Sequence, residues 1–398
     1  MKSSAALGML SPEARLVLYT AGGPENDDLI REALREHLDW PRILAIAQWE
    51  KATAIIWRRL STSAGAVIPA AFSEAFWKQA SVAEFRLTYL EQRLEESVAA
   101  LRAAGIEVML LKGAALGRAV YPSFTERPMS DLDLLVRPEE AQAARDTLLS
   151  AGWSWTKDEI SDARYRDHHH LPPLSDSLGT GVKLEVHRNL LFDKHPFRFS
   201  ADDLWAAARP VQVGRETAMA PSDYHLLLHS AIHFSWSHLL VAGGWRTFRD
   251  ITAIVEASGE RWDWERFASL AAYSRGGTCC YWTFRLARNL AGIDVPDEVI
   301  EELRPRLSPA VMDRLERHFA VELFAPEALC PSVQLSRTMW QLAILPGRNG
   351  HGAVRPWHGE RVHDPDVGEK KGRSRLLLDH IRNAGSWGRY VSVIGRRP

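Results

Sequence analysis

The sequence has almost no net charge, few cysteines and no long apolar run. Its 398 residues carry 49 Lys and Arg against 50 Asp and Glu, a net charge of −1. Phosphate contacts need a basic surface, so this balance argues against a long nucleic acid as a partner. The three cysteines give neither a disulfide framework nor zinc-ligand spacing. No apolar run approaches the ~18 residues of a bilayer-spanning helix. With no recognisable signal peptide, these features predict a reduced, cytoplasmic protein with no membrane contact.

Composition and helix signals divide the chain into four predicted regions. With 46% hydrophobic residues, the chain can bury a large core. Residues 1–105 form an N-terminal helical region, with a helix start at Ser11-Pro12-Glu13. Residues 106–200 mix strand and helix patterns, and residues 201–345 again favour helices. Residues 346–398 form a Gly- and Arg-rich basic tail with a short helix, where eleven Lys or Arg stand against five Asp or Glu. This tail is either a clamp for an anionic partner or, in the favoured interpretation, a solvated segment.

The mixed region has short apolar runs separated by helix-compatible stretches. These runs predict strands near 107–111, 131–136, 152–156 and 182–188. Helices are predicted near 113–120 and 138–150, the second opened by a proline at its first position. Residues 157–180 are polar and contain Pro and Gly, which predicts a loop or hairpin. The pattern therefore indicates a small α/β unit between two helical regions.

Two aspartates at period two are the strongest chemical signal in this region. On a strand, Asp131 and Asp133 would project from the same face. Neighbouring carboxylates repel unless a cation shares them. Mg²⁺ binds through one or two carboxylates plus substrate phosphates, which fits this pair. The alternative is a solvated turn at the edge of a sheet. Further along, Lys183, Glu185 and His187 fall on one face of another predicted strand.

These residues form a recognisable set. Leu111-Lys112-Gly113, Arg127, Met129, the Asp131 and Asp133 pair, and Leu184-Glu185-Val186-His187 follow one another in order. Over roughly residues 105–255, the chain resembles the bacterial uncharacterised nucleotidyltransferase family, within the DNA polymerase β-like nucleotidyltransferase superfamily. The resemblance implies an α+β fold, in which a small mixed β-sheet core is flanked by N-terminal helices and a C-terminal helical lobe.

The resemblance also implies an activity. Such enzymes transfer a nucleoside monophosphate from an NTP, ATP among them, to an acceptor, and they release pyrophosphate with Mg²⁺ or Mn²⁺ as cofactor. Asp131 and Asp133 would hold two metal ions. Glu185 would complete the metal site and help to deprotonate the acceptor. A small molecule or a peptide or protein is the expected acceptor. The alternative is a non-catalytic protein that retains the fold to bind a nucleotide or a partner.

Several residues are candidates for binding the nucleotide. The N–H of Gly113, at the start of a helix, could bind phosphate. Lys112 stands beside this glycine, in a turn that lacks the serine usual in the superfamily, and is either a point charge for phosphate or a solvent-exposed strand-end lysine. Arg127 could pair with Asp131 or reach a phosphate, and Ser130 beside the acids could contact the nucleotide or simply form a turn.

Basic residues of the helical lobe provide two further candidates. Arg246 and Arg249 lie within one turn of Asp250 on a predicted helix. They could contact the triphosphate or form a salt-bridge network on the helix surface. The resembling family has an aspartate like Asp250 at this place.

Histidines suggest a competing chemistry. His168, His169 and His170 are consecutive in a predicted polar loop, and His229 and His233 are spaced to share one helix face. A zinc-dependent hydrolase could use such residues. The glutamate of the H-E-x-x-H motif is absent, so packing is the favoured interpretation for the helical pair. His187 is a candidate substrate contact because of its position on the predicted strand. His170 is another candidate, by resemblance to the family.

Overall fold

The protein folds as an α+β structure around one mixed sheet. The computed structural model describes residues 5–64, 68–155, 165–166, 168–191, 195–324, 328–344 and 384–395. Within these residues, the chain forms a seven-stranded sheet with α-helices before, between and after the strands. This arrangement confirms the predicted fold class. The division into four domains stays a prediction.

The N-terminal region is helical, as predicted. Its helices are α1 (Pro12–Tyr19), α2 (Asp27–Ala33), α3 (Trp40–Trp49), α4 (Thr53–Ala64) and α5 (Ala70–Ala103). The Ser11 hydroxyl caps α1 by accepting the N–H of Ala14 at 3.1 Å. α5 runs for 34 residues without Gly or Pro and ends before Gly105, whose φ of 77° lies in the left-handed region that favours glycine. α5 contacts α3 and α4 as well as strands of the sheet.

The sheet brings distant segments of the chain together. Its strands are β1 (Met109–Leu110), β2 (Asp131–Leu135), β3 (Trp153–Ser154), β4 (Leu174–Asp176), β5 (Lys183–His187), β6 (Arg209–Val213) and β7 (Glu216–Ala220). They lie in the order β3-β4-β5-β2-β1-β7-β6. The pairs β2–β5 and β1–β7 are parallel, whereas the other neighbours are antiparallel. The four predicted strands are therefore present, with shorter bounds.

Three strands were not predicted, and two of them contradict the helical prediction for residues 201–345. β6 and β7 form a hairpin that joins the sheet beside β1. Val211, Val213, Ala218 and Ala220 are buried and alternate with more exposed residues, which is the period-two pattern of a strand. Gly214 makes the turn with a φ of 58°. β4 is the third strand and pairs with β5 in a hairpin, which agrees with the loop or hairpin predicted for 157–180. Residues 156–164 and 167 lie outside the described residues.

The remaining helices cover the sheet and build the C-terminal lobe. They are α6 (Lys112–Ala119), α7 (Ala141–Ser150), α8 (Ala201–Ala206), α9 (Asp223–Ile232), α10 (Gly244–Ser258), α11 (Trp264–Tyr273), α12 (Gly277–Ala291), α13 (Asp297–Glu302), α14 (Pro309–Glu322), α15 (Val333–Ile344) and α16 (Ala384–Ile394). A π-helical turn, His233–Ser237, follows α9. Among the described residues, no helix has the length and apolar character that crossing a bilayer requires.

The N-terminal helices and the C-terminal lobe as far as Ile344 share one hydrophobic core with the sheet, whereas Tyr390 and Ile394 pack with Val321 in a second cluster. The Trp245 indole on α10 donates to the hydroxyl of Thr20 at 2.9 Å. The buried Asn26 amide donates to the carbonyl of Ala291 at 2.7 Å. The short helix expected in the basic tail is α16, and its Tyr390 hydroxyl lies 2.8 Å from Nδ1 of His318 on α14. The rest of that tail lies outside the described residues.

Candidate active site

Three carboxylates meet at the two central parallel strands. Asp131 and Asp133 project from the same face of β2. In the register of the sheet, Asp133 lies opposite Glu185 of β5, and Asp131 lies opposite Lys183. The apolar residues that alternate with them on both strands are buried and hold the strands in place. The structure therefore brings the three predicted acids together, with Asp133 buried and Asp131 exposed to solvent.

The Lys112 ammonium lies against two of these acids. Its Nζ is 2.6 Å from Oδ1 of Asp133 and 3.9 Å from Oε2 of Glu185. Burial disfavours the charged forms of Lys112 and Asp133. The charges of Asp133 and Glu185 together outweigh burial at Lys112 and raise its pKa, and Lys112 and His187 together hold the pKa of Asp133 well below its usual value. The expectation of a solvent-exposed strand-end lysine is therefore wrong. A phosphate contact stays a prediction.

His187 and His170 contact the carboxylates of Asp133 and Glu185. The His187 ring is fully buried, with Nε2 2.9 Å from Oδ1 of Asp133 and 3.4 Å from Oε2 of Glu185. Burial and the Lys112 charge lower the pKa of His187, but its hydrogen bonds to the two carboxylates and the charge of Asp133 together outweigh them and leave this pKa raised. His170 Nε2 lies 3.7 Å from Oε2 of Glu185. Neither histidine lines the cavity above the acids, so both support the carboxylates from the protein side.

Arg127 pairs with the helical lobe and not with Asp131. Its Nε and Nη2 donate to the two carboxylate oxygens of Asp250 at 3.1 and 2.7 Å. Its Nη1 donates to the carbonyl of Pro128 at 2.9 Å. The Tyr121 hydroxyl donates to the same carboxylate at 2.8 Å. The predicted pairing with Asp131 is therefore wrong, because the bidentate geometry with Asp250 engages the guanidinium.

A cavity of about 310 Å³ opens above the acids. Its walls come from all three structured regions of the chain. Lys51 belongs to the N-terminal helices, Gly113 and Ser130 to the core, and Arg246 to α10. A Cβ on Gly113 would lie 2.8 Å from Nη1 of Arg127, so only glycine fits there without a shift. The predicted residues Gly113, Ser130 and Arg246 thus border the same cavity as the acids.

Lys51 is a charged cavity residue that the sequence analysis did not identify. It lies in the turn between α3 and α4 with a φ of 57°. Its Nζ donates to the Ser130 hydroxyl at 2.7 Å, and this hydroxyl donates to Oδ1 of Asp131 at 3.3 Å. The lysine and Ser130 are 79 positions apart in the sequence, so no local motif marks the contact.

Arg246 and Arg249 have different surroundings on α10. Arg246 lines the cavity and faces Glu50, which is fully buried. Burial raises the pKa of Glu50, and the Arg246 charge opposes this effect. Arg249 is not among the residues described around the cavity: its Nη2 lies 3.8 Å from Oε2 of Glu256, and its guanidinium lies 6.0 Å from the centre of the Tyr121 ring. The salt-bridge alternative therefore describes Arg249, whereas Arg246 is placed to meet a ligand.

Neutral histidines form one wall of the cavity. His229, His233 and His238 all line it. Burial lowers the pKa of His229 to about 3 and that of His238 to about 4, and it holds the pKa of His233 well below the usual value. The rings of His229 and His233 lie edge to face, with centroids 6.2 Å apart. This wall therefore adds polarity to the cavity and no positive charge at neutral pH.

Two groups of side chains in the described part of the chain could hold a metal ion. One is His168–His170, which lies in an irregular segment, as predicted, with His168 and His170 buried. The other consists of Asp133, Glu185 and His187, whose ligand atoms lie within 4.8 Å of one another. Neither group contains His229 or His233, so the described residues do not support a zinc site at this pair.

The acidic group fits the cations that the resemblance implies. Mg²⁺ and Mn²⁺ take carboxylate ligands, and imidazole nitrogen suits the transition metals. His187 Nε2 already forms a 2.9 Å hydrogen bond with Oδ1 of Asp133, so it orients this carboxylate, and Asp133 and Glu185 are the residues that would hold the ion. The donor set therefore suits a divalent cation.

A family model described as an uncharacterised nucleotidyltransferase matches residues 36–292. The match begins before α3 and ends after α12, so it contains every residue named around the cavity. No curated protein and no solved structure matches the chain.

Proposed function

Because this chain belongs to the uncharacterised nucleotidyltransferase family, we propose that it transfers a nucleoside monophosphate from an NTP to a small-molecule or peptide/protein acceptor. Membership supports nucleotidyl transfer in general. One observation carries the more specific proposal. Asp131, Asp133 and Glu185 converge beneath a cavity whose walls also bear Lys51 and Arg246. An array of carboxylates facing basic side chains suits a ligand that brings both cations and phosphates.

The carboxylates would bind Mg²⁺ or Mn²⁺. Asp131 and Asp133 are the residues proposed to hold both ions, with Glu185 on the ion nearer the acceptor. When bound, such ions neutralise the charge that develops on the transferring phosphoryl group. The placement of the Asp133 and Glu185 carboxylates opposite each other on paired strands supports this assignment. His187 lies beneath the acids and orients Asp133 through the 2.9 Å contact.

Glu185 is proposed to accept the proton of the acceptor hydroxyl. Burial raises the pKa of this carboxylate, but its hydrogen bond with His187 and the Lys112 charge outweigh burial and lower it, so the group is ionised at neutral pH. The acceptor oxygen then forms a bond to the α-phosphorus, and the bond from the α-phosphorus to the bridging oxygen breaks. Pyrophosphate takes the electron pair of that bond.

Lys51 and Arg246 are proposed to bind the β- and γ-phosphates. The loss of surrounding water and the positive charge of Arg246 lower the pKa of Lys51, so the two cations repel each other across the cavity. A polyphosphate between them would remove this cost. They could thereby replace the serine that the Lys112-Gly113 turn lacks. The backbone N–H of Gly113 and the Ser130 hydroxyl are proposed as further contacts.

Arg127 is proposed to position the site and not to bind phosphate. Its guanidinium already donates to Asp250 and to the carbonyl of Pro128. This pair connects the segment before β2 to α10, which carries Arg246. Arg127 therefore acts on the nucleotide through the helix that holds Arg246.

Isothermal titration with each NTP, with and without Mg²⁺ or Mn²⁺, tests the proposal. We expect binding that requires the metal and falls at least about tenfold in Asp131→Asn and in Asp133→Asn, because each removes a charged metal ligand. Asp146→Asn is the matched control, since this exposed carboxylate lies on α7. Incubation with α-labelled NTP, metal and host lysate then identifies the acceptor by the species that gains label.

The alternative of a non-catalytic nucleotide-binding protein has one observation in its favour. Lys112 already neutralises the Asp133 carboxylate, as an ammonium would in a site that no longer uses a metal. Binding of NTP without metal, unaffected by Asp131→Asn and Asp133→Asn, would establish this alternative and refute the enzyme.

A further inference from the structure

The Lys112 ammonium lies where the carboxylates of Asp133 and Glu185 stabilise a positive charge. Its Nζ lies 2.6 Å from Oδ1 of Asp133, the same oxygen that faces His187. The second carboxylate, Glu185, lies opposite Asp133 on the adjacent parallel strand, with its Oε2 3.9 Å from the ammonium. The ammonium thus compensates the charge of the same two carboxylates that a divalent cation would bind.

The backbone holds this lysine in place. Lys112 has a φ of 46°, in the left-handed region that residues with a side chain adopt rarely and at a cost. The next residue, Gly113, packs so closely that a Cβ there would lie 2.8 Å from Nη1 of Arg127 and 2.9 Å from Cβ of Met129. Since α6 begins at this turn, the tight packing fixes the start of the helix and with it the direction of the lysine.

We propose that Lys112 is an internal counter-cation that keeps free divalent metal out of the Asp133–Glu185 pair until a nucleotide enters with its own cation. This inference rests on the proposed function, because it concerns the metal site of that reaction. A metal bonded to Asp133 at about 2.1 Å would stand beside an ammonium only 2.6 Å from the same oxygen, and like charges so close repel.

The phosphates of the nucleotide provide new negative partners for the displaced Lys112 ammonium. Lys112 lines the cavity, so rotation of its flexible four-carbon side chain can carry Nζ from the carboxylates to a phosphate oxygen. Metal and NTP therefore bind together, and the protein without nucleotide takes up little metal. The same residue serves as a counter-ion before binding and as a phosphate contact after it.

Mn²⁺ binding, measured as loss of the free-ion signal in electron paramagnetic resonance, tests the proposal without any turnover. Without nucleotide, Lys112→Gln is expected to bind Mn²⁺ at least about tenfold more tightly than the native protein, since a like charge beside the ion is removed. With a non-hydrolysable NTP analogue, and after subtraction of the signal lost to the analogue alone, the native protein is expected to bind Mn²⁺ at least about tenfold more tightly than without it.

Lys51→Gln is the matched control. It removes the same charge from another lysine of the cavity, but that lysine donates to the Ser130 hydroxyl and not to the Asp133–Glu185 pair. Its effect on Mn²⁺ affinity without nucleotide is expected to be much smaller. An equal gain in both variants would overturn the proposal, because the general field of the cavity would then explain it.

Two outcomes separate this inference from the function on which it rests. Tight Mn²⁺ binding by the native protein without nucleotide, unchanged in Lys112→Gln, overturns the counter-cation and leaves the metal site intact. No Mn²⁺ uptake by either protein, even with the NTP analogue, refutes the proposed function itself. If Lys112→Gln folds poorly because its carboxylates repel, thermal unfolding provides the readout. Mn²⁺ should then raise its melting temperature more than that of the native protein, and an equal or smaller rise overturns the proposal.

Discussion

Removing the charge of Asp250 is expected to destabilise the protein strongly. Its side chain is 1% exposed, and that of Arg127 is 14% exposed. Asp250→Asn keeps the shape of the residue but leaves the Arg127 guanidinium without its counter-charge in a largely buried place. Breaking a buried ion pair from one side costs roughly 3–5 kcal/mol. Arg127→Met should cost a similar amount, because it leaves a buried carboxylate with only the hydrogen bond from Tyr121.

A double-mutant cycle isolates the energy of this pair. The double variant Arg127→Met with Asp250→Asn leaves neither charge behind, so its cost should lie below the sum of the single costs by roughly 2 kcal/mol or more. Urea unfolding followed by tryptophan fluorescence gives the four stabilities. Additive costs, with a coupling energy near zero, would refute the view that the two residues clamp the core to α10.

The same variants distinguish a clamp from a phosphate contact. If Arg127 only holds α10 in place, Arg127→Met and Asp250→Asn should weaken NTP binding to a similar degree. A much larger loss in Arg127→Met would show that the guanidinium itself reaches the nucleotide. Isothermal titration with metal and NTP measures both affinities.

Three further predictions address the turn, a buried histidine and the N-terminal helices. Gly113→Ala would place a Cβ 2.8 Å from the Arg127 guanidinium, so it should lower the free energy of unfolding by roughly 1–3 kcal/mol and weaken NTP binding. Gly8→Ala is the control, because a Cβ there meets no atom within 4 Å. It should leave stability in urea and affinity in the titration unchanged. Burial lowers the pKa of His318 from 6.5 to about 4, so as the pH falls this histidine is protonated in the unfolded chain before it is protonated in the folded protein. Between about pH 7 and about pH 5, the native protein should therefore lose roughly 2 kcal/mol more of its free energy of unfolding than His318→Asn. Equal losses of the two proteins in urea unfolding would contradict this. Asn26→Ala removes two buried hydrogen bonds to backbone carbonyls, one of them in α12, and should cost roughly 2–3 kcal/mol in urea unfolding, with no change in stability as the contrary result.

The acids could be found from the sequence because their signal is local. Period two on a strand places Asp131 and Asp133 on one face, and the motif order suggested Glu185 as their neighbour. Helix α5 can also be predicted from the sequence, since 34 residues without Gly or Pro favour one helix. The hairpin at 209–220 was missed although its alternation is also local. The helix patterns on both sides of it dominated the prediction.

The partners of the basic residues could not be found in this way. Arg127 and Asp250 lie 123 positions apart, and Lys51 and Ser130 lie 79 apart. Their pairing depends on how the helices pack around the sheet, which no motif encodes. The left-handed backbone of Lys112 is also a product of the folded turn. The sequence therefore located the acids, whereas the charge balance around them required the structure.

Two buried contacts hold α10, the helix that carries Arg246, in place. They determine which parts of the cavity can move when a nucleotide binds. α10 contacts the core through Asp250 and Arg127 and contacts α1's end through the 2.9 Å hydrogen bond from Trp245 to Thr20. Thr20 lies outside the family match at 36–292, so helices before that match also support the cavity. A helix fixed by a buried ion pair and a buried indole cannot shift without breaking both. We therefore expect the nucleotide to be accommodated by side chains, with Lys112 moving between two sets of anions while α10 stays in place.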